Sequence, residues 1–294
     1  MSVTLVSDVS DQVQKFWSPV LKDELMESTL LAALVNKEFE GQIQRGGDTV
    51  YVSMIDRPTA EIKTIGAGAE SFNTQKLTTQ RVAIQADKRI TAAFELEDLV
   101  DVQTQLGSPE GQSKIRQALQ EAMTIQLNNY LYGLVAPSTS APDHTVTGVT
   151  DLNASQLNSV RTLASQAKWA RMGGWWGLVD PSYMSDLLNA ATLTSSDYVG
   201  DDKPVVGGQM AMTRFGFNLL EDNSEGLLSL HGNAADAALF FHPDFLYLVM
   251  GEPRFKLSDL HSNKQFGYVL SVDMWVGAKL GLEGAKKHVS VVGA

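Results

Sequence analysis

SPEGQSKIRQALQEAMTIQLNNYLYGLVA, residues 108–136, is the longest stretch of the chain with a helical repeat. Ser108 offers an N-cap oxygen, and Pro109 suits the first helical position because an N–H there would have no partner anyway. Glu110 complements the positive end of the helix dipole. Ile115, Leu119, Ala122, Met123, Gln126 and Tyr130 then recur at three- and four-residue steps. At ~1.5 Å per residue the helix would run about 40 Å, which is long for a small domain. It calls for a flat, extended protein rather than a ball.

The sequence upstream supports that expectation. In QRGGDTVYVSM (44–54), Val50, Val52 and Met54 alternate with Tyr51 and Ser53, the pattern of a strand with one buried face. A basic residue beside two glycines can cradle phosphate, but only where the glycines open a helix with its N–H groups free. Here they open a strand. Gly46, Gly47 and Asp48 therefore read as a structural turn, with positive φ at one glycine and Asp48 capping it. The following DRPTAEIKTIGAGAESFNTQKLTT (56–79) has few large apolar residues and is too long for an ordinary connection. It reads as a β-hairpin arm that packs on something else. QRVAIQADKRITAAFEL returns as strands, with Val82, Ile84 and Ala86 on one face. Before all this, residues 1–17 read as an extended arm. A helix from Ser18, with Pro19 at its first position, reaches about residue 35 on a stripe of Leu21, Leu25, Ala32 and the flanking Met26 and Leu30.

Downstream, APSTSAPDHTVTGVTDLN (136–153) is the clearest break in composition. A helix over about 155–168 turns Leu157, Val160, Leu163 and Ala164 inward. GWWGLVD is a short buried strand, after which Asp180 caps and Pro181 opens a helix that buries Met184, Leu187 and Leu188. Residues 193–208 are loop-like. Strand patterns continue through QMAMTRFGFNLLED, DAALFFH, FKLSD, FGYVLSVDMWVGAKLGL and KHVSVVG. Helices and strands mix without regular βαβ repeats, so the fold class is α+β.

At 294 residues and 44% hydrophobic, the chain can bury a sizeable core. It has no cysteine, which removes disulfides, thiolate metal sites and a cysteine nucleophile. A formal charge of −11 argues against tight nucleic-acid binding, which draws on a surplus of Lys and Arg. The N-terminal stretch lacks the basic and apolar regions of a signal peptide, and no apolar run approaches a membrane span. The chain thus reads as soluble. Nucleotide-loop, nucleophile-elbow and zinc-protease motifs are absent. His144, His231, His242, His261 and His288 lie far apart with no metal-ligand spacing. In FELEDLVD, Glu95, Glu97, Asp98 and Asp101 fall close together; a helix would bring Glu97 or Asp98 onto one face with Asp101 and could hold a cation, but a solvated acidic face accounts for them more simply. Trp175 and Trp176 could form a stacking platform or, more simply, belong to a buried strand. No metal, cofactor or catalytic constellation emerges.

Taken in order over about 250 residues, these elements resemble the major capsid proteins of tailed bacteriophages, of the Hong Kong 97 type. GGDTVYVSM is similar to the strand that follows the N-terminal arm in that family. Residues 56–82 stand where the family has its extended E-loop, and SPEGQSKIRQALQEAMTIQLNNYLYGLVA stands where it has its spine helix. WWGLVDPSYMSDLLN and GQMAMTRFGFNLLEDN resemble axial-domain segments, while AALFFHPDFLYLVMGEPRF and MWVGAKLGLEGAKKHVSVV resemble the closing segments. The resemblance implies an N-terminal arm and short helix at 1–35 and a peripheral domain over 36–139. It further implies an axial domain over 140–265 and closing peripheral strands over 266–294. It implies a non-enzymatic protein that self-assembles as hexamers and pentamers of an icosahedral shell in the host bacterial cytoplasm. That shell would enclose double-stranded DNA without reading its sequence and without touching a membrane. A portal, a separate scaffolding protein and a decoration protein are the implied partners; the N-terminus is too short for a fused scaffold. Arm and E-loop would lie over neighbouring subunits, which nominates Trp17, Arg57, Lys63, Lys76 and Arg81 as intersubunit contacts. Some family members crosslink a Lys to an Asn; Lys63 and Lys76 lie in the E-loop, but no partner Asn or catalytic carboxylate stands out. The alternatives are an encapsulin shell with the same fold, or a hydrolase or carbohydrate-binding protein built on the tryptophan pair and acidic cluster.

Overall fold

A computed structural model describes residues 29–39, 48–62, 74–97, 109–136, 144–170, 174–190, 211–231, 236–259 and 267–293. Along the chain run α1 (Leu30–Leu34), β1 (Thr49–Ile55), β2 (Thr79–Gln85), β3 (Lys88–Glu97) and α2 (Pro109–Val135). Then follow β4 (His144–Val149), α3 (Ala154–Gln166), β5 (Trp175–Val179), α4 (Pro181–Asn189), β6 (Ala211–Arg214), β7 (Phe217–Glu221) and α5 (Glu225–Leu228). The chain closes with β8 (Ala237–Phe241), β9 (Leu246–Met250), β10 (Arg254–Asp259), β11 (Gly267–Leu280) and β12 (His288–Gly293). The mixture is α+β.

The long helix α2 is a single 27-residue element. Its buried seam is Leu119, Met123, Leu127 and Leu131, joined by Tyr132 and Val135. The seam lies off the expected stripe: Ala122 and Gln126 face solvent. Successive i+4 steps won over mixed steps because α2 lies along a sheet, and its row of leucines fills the space above it.

That first sheet has the order β10–β11–β3, with β9 also paired to β11 beyond the end of β10. β11 is 14 residues long and antiparallel to all three partners. Side chains alternate across it. Val272, Met274 and Val276, with Ile90 from β3, turn toward α2 and join its core. The opposite face receives the β1–β2 hairpin. There Ile84, Tyr247 and Val249 form a small separate core, against which Phe39, Val52 and Val82 pack. The close approach depends on Gly277, where a Cβ would come within 2.4 Å of the Gln85 carbonyl oxygen.

The second sheet has six strands in the order β4–β12–β8–β5–β7–β6. It is mixed: β12 pairs with β4, and β5 with β7, in parallel. It is buried on both faces, and every residue of β8 is enclosed. Ala238 and Phe240 meet the α3 and α4 residues Leu157, Val160, Tyr183 and Met184. Ala237, Leu239 and Phe241 meet the core of α2 and α5. The expected cap of α4 holds, with Asp180 accepting from the Tyr183 N–H and Pro181 at the first position; at the head of α3, Asn153 accepts from Ser155 and Gln156. Leu163 and Leu188 are only partly covered, whereas Tyr183 is fully buried.

β9 and β10 pair with β11, whereas β12 pairs with β4 and β8. The simpler readings of the acidic stretch and the tryptophan pair fit the structure. β3 stays extended through Glu97, so the helical face that would set Glu97 beside Asp101 does not form. The two tryptophans point to opposite sides of β5. Trp175 packs edge-on against Trp169 in one core, and Trp176 packs against the other, so they make no stacking platform. The beginning of the first helix, the 193–208 loop, Asp98 and Asp101 lie outside the described residues.

Candidate assembly surface

The β1–β2 hairpin is anchored at its base and bare beyond it. Its register runs from Thr49 opposite Gln85 to Ile55 opposite Thr79. The backbone carbonyl of Asp48 accepts the Ala86 N–H at 3.2 Å and so closes the base. Past the ladder, the Asp56 N–H donates to the Thr78 carbonyl, and the Asp56 carboxylate accepts from Thr78 Oγ1 and Gln80 Nε2 at 2.7 and 3.1 Å. Further out, the Gln75 side-chain amide accepts the Thr59 N–H and donates to the Thr59 carbonyl. That amide stands in for a backbone partner and holds the two arms together beyond the last strand pair.

The few large apolar side chains of the hairpin are uncovered. Tyr51 is 61% exposed, Ile55 62%, Leu77 74%, and Ile62 is fully exposed. Arg81 lies over the Tyr51 ring, 5.2 Å from its centroid, which orders part of this face. Arg57 and Lys76 are also exposed on the hairpin. Trp17, Lys63, Gly46 and Gly47 lie outside the described residues.

A second uncovered surface lies on the first sheet. Leu257, Leu270 and Phe94 are in register across β10, β11 and β3, as are Phe255 and Val272 in the next row. Paired residues share a face, so all of them lie on the side that α2 covers at Val272. Toward this end the helix presents Ser113, Arg116, Gln117 and Gln120 instead of leucines. The apolar sheet therefore outruns its cover, leaving Phe94, Phe255 and Leu257 at 45, 41 and 65% exposure. Between helix and sheet runs an open groove of about 680 Å³, with an apolar floor and a polar wall that includes Arg116 and Lys256. Sequence reasoning missed this groove; the one legible signal was FKL, two large apolar residues alternating with a lysine.

No three His, Asp or Glu side chains among the described residues converge as metal ligands. His288 is held by the Gly284 carbonyl, His231 contacts Ser290 at 2.7 Å, and His242 accepts the Asp244 N–H at the start of a 3-10 turn. Burial, with Asp236 adding to it, raises the Asp180 carboxyl above its ordinary range, although the Tyr183 and Ala237 N–H groups pull the other way. Asp180 thus ties α4 to β8 as a structural clamp. No described helix is long and apolar enough to cross a membrane.

No protein-family model matches the chain, and no curated protein sequence matches it either. Solved structures do. One titled Mycobacterium phage Che8 superposes with a TM-score of 0.77 at 20% identity, covering 95% of this chain and 97% of its own. The Cyanophage Pam1 capsid asymmetric unit gives 0.73 at 12% identity, covering 97% of each chain. The capsid structure of Cyanophage P-SCSP1u gives 0.73 at 11%, with 97 and 94% covered. The fold is that of a phage capsid protein. At such identities the Hong Kong 97-type fold is a shared backbone plan, and surface side chains are this chain's own. What its hairpin and groove do must come from their own residues.

Proposed function

We propose that this chain is the major capsid protein of a tailed phage, assembling as hexamers and pentamers into an icosahedral shell around double-stranded DNA. The observation that carries the reading is a pair of unsatisfied surfaces on one chain: a hairpin arm with a few exposed apolar side chains and an apolar, open groove. One copy cannot cover both, whereas a ring of copies covers each with a neighbour. Burying large side chains such as Ile62, Leu77 and Leu257 is worth roughly 1.5–3 kcal/mol each, and a shell repeats the gain at every contact. Arg57, Lys76 and Arg81 on the hairpin are placed to give the contact polar specificity, and the arm would extend it with Trp17. The role is structural, not enzymatic.

A charge of −11 suits a wall that confines DNA without gripping it. The implied partners are a portal, a separate scaffolding protein and, on the outside, a decoration protein. Assembly takes place in the host cytoplasm and the product resides in the virion. Electron microscopy of the expressed chain, with and without co-expressed scaffold, tests the reading. Shells or capsomer rings are expected, and monodisperse 32.0 kDa monomers under all conditions would overturn it. On native particles, a portal and tail separate a phage shell from a closed compartment.

A further inference from the structure

Strand β3 pairs with β11 along one edge, and no described strand pairs with its other edge. Among the described residues this ten-residue strand leaves one edge without a partner strand, and such an edge is a template for another. We propose that β3 pairs antiparallel with β3 of a second copy of this chain about a twofold axis at Ala92, joining two subunits' first sheets into one. It rests on the shell reading only in requiring a second copy alongside.

The strand is complementary to itself in this register. Arg89 falls opposite Glu95 of the second copy, Ile90 opposite Phe94, Thr91 opposite Ala93, and Ala92 opposite itself; the twofold repeats each pair. Opposed residues share a face; the inner rows bring apolar against apolar and Arg89 against a carboxylate, while the outermost row of the strand sets Lys88 opposite Leu96. On the α2 side, Phe94, 45% exposed in a single chain, comes against Ile90. On the other side, Arg89 meets a carboxylate. Arg89 already donates to Asp273 at 2.9–3.1 Å and lies 5.3 Å from the Trp275 ring centroid, so its guanidinium is held in place with half its side chain still exposed. Its five donors allow a second carboxylate without losing the first.

Because the chain has no cysteine, a single introduced thiol reports the register without background. Opposed Cα atoms in an antiparallel pair lie about 4.5–5.5 Å apart, within disulfide range. Assembled particles of Ala92→Cys, oxidised and run on a non-reducing gel, should give a band at twice the chain mass, and Ala93→Cys should not. The double variant Thr91→Cys/Ala93→Cys, at two exposed positions, should also give the doubled band, and it reads the same register if Ala92→Cys disturbs folding. Particles that form normally but give no doubled band with either variant would overturn this pairing while leaving the shell reading intact. A doubled band from Ala93→Cys alone would overturn the register, because it requires Arg89 opposite Glu97. Absence of any particles would instead count against the proposed function.

Discussion

The Tyr132 hydroxyl donates to the Asp222 carboxylate at 2.6 Å, and both residues are buried. This bond joins the C-terminal part of α2 to the end of β7, and so ties the long helix to the six-stranded sheet. Asp222 also accepts the Ser224 N–H, setting the start of α5. Burial beside this carboxylate pushes the Tyr132 hydroxyl well above its ordinary range, so it stays a donor. Tyr132→Phe removes that donor while keeping the ring, and the buried Asp222 carboxylate loses its 2.6 Å hydrogen bond. The expected loss is about 1–3 kcal/mol of stability, read by chemical denaturation. A loss below a few tenths would show that water or a rearranged side chain replaces the hydroxyl.

Gly277→Val tests how the hairpin is seated. A Cβ at this position would sit 2.4 Å from the Gln85 oxygen and 2.9 Å from the Ala86 Cα, both backbone atoms that cannot rotate away. Overpacking of this kind costs about 1–3 kcal/mol. Hydrogen exchange should quicken along β1 and β2 first, with the six-stranded sheet protected as before. Uniform exchange changes would show that the hairpin is not an independently seated element.

Leu257→Asp and Ile62→Asp test the two uncovered surfaces. Both side chains are solvent-exposed in the single chain, so subunit stability should change by no more than about 0.5 kcal/mol. Particle yield should fall sharply, because a neighbour would now bury a charge without a partner. Wild-type yields from both variants would remove the groove and hairpin from the assembly contact.

Burial holds the His231 imidazole below its ordinary value of 6.5. A lowered histidine pKa means that the folded state binds the proton less well than the unfolded chain does. Its contribution is therefore present above pH 6.5 and is lost as pH falls through the lower folded value. His231→Gln keeps a group able to bond Ser290 but does not titrate. Between pH 7 and about 5, the wild-type midpoint of denaturation should fall relative to the variant's; parallel curves would rule out a titrating role. Asp180 works in the opposite sense. Its raised carboxyl favours the protonated form, a stabilisation present below its ordinary 3.8 and lost as pH rises through the folded value.

Much of the plan was legible because its signals are local. The proline and capping residues at 108–110 and 180–181 marked where α2 and α4 begin, while alternation in TVYVSMI and the short apolar run AALFF marked strands. The hairpin's inability to bury itself showed in its composition. The groove was not legible: that Phe94, Phe255 and Leu257 lie uncovered depends on where α2 stops presenting leucines to the sheet, a relation between residues more than a hundred positions apart. The seam of α2 was displaced for the same reason, since Ala122 and Leu127 are both apolar and only the facing sheet chooses between them.

By itself, the sequence determined the elements, their order, the absence of thiol and motif chemistry, and that order's resemblance to a phage capsid protein. Tertiary structure alone decided which strand joins which sheet, that β12 returns to β4 and β8 while β9 and β10 join β11, and which apolar residues are left for another copy. The reason is physical. Alternation records that one face of a strand is buried, but backbone N–H and C=O groups are chemically alike in every strand. Partner choice is therefore settled by the packing of the whole chain.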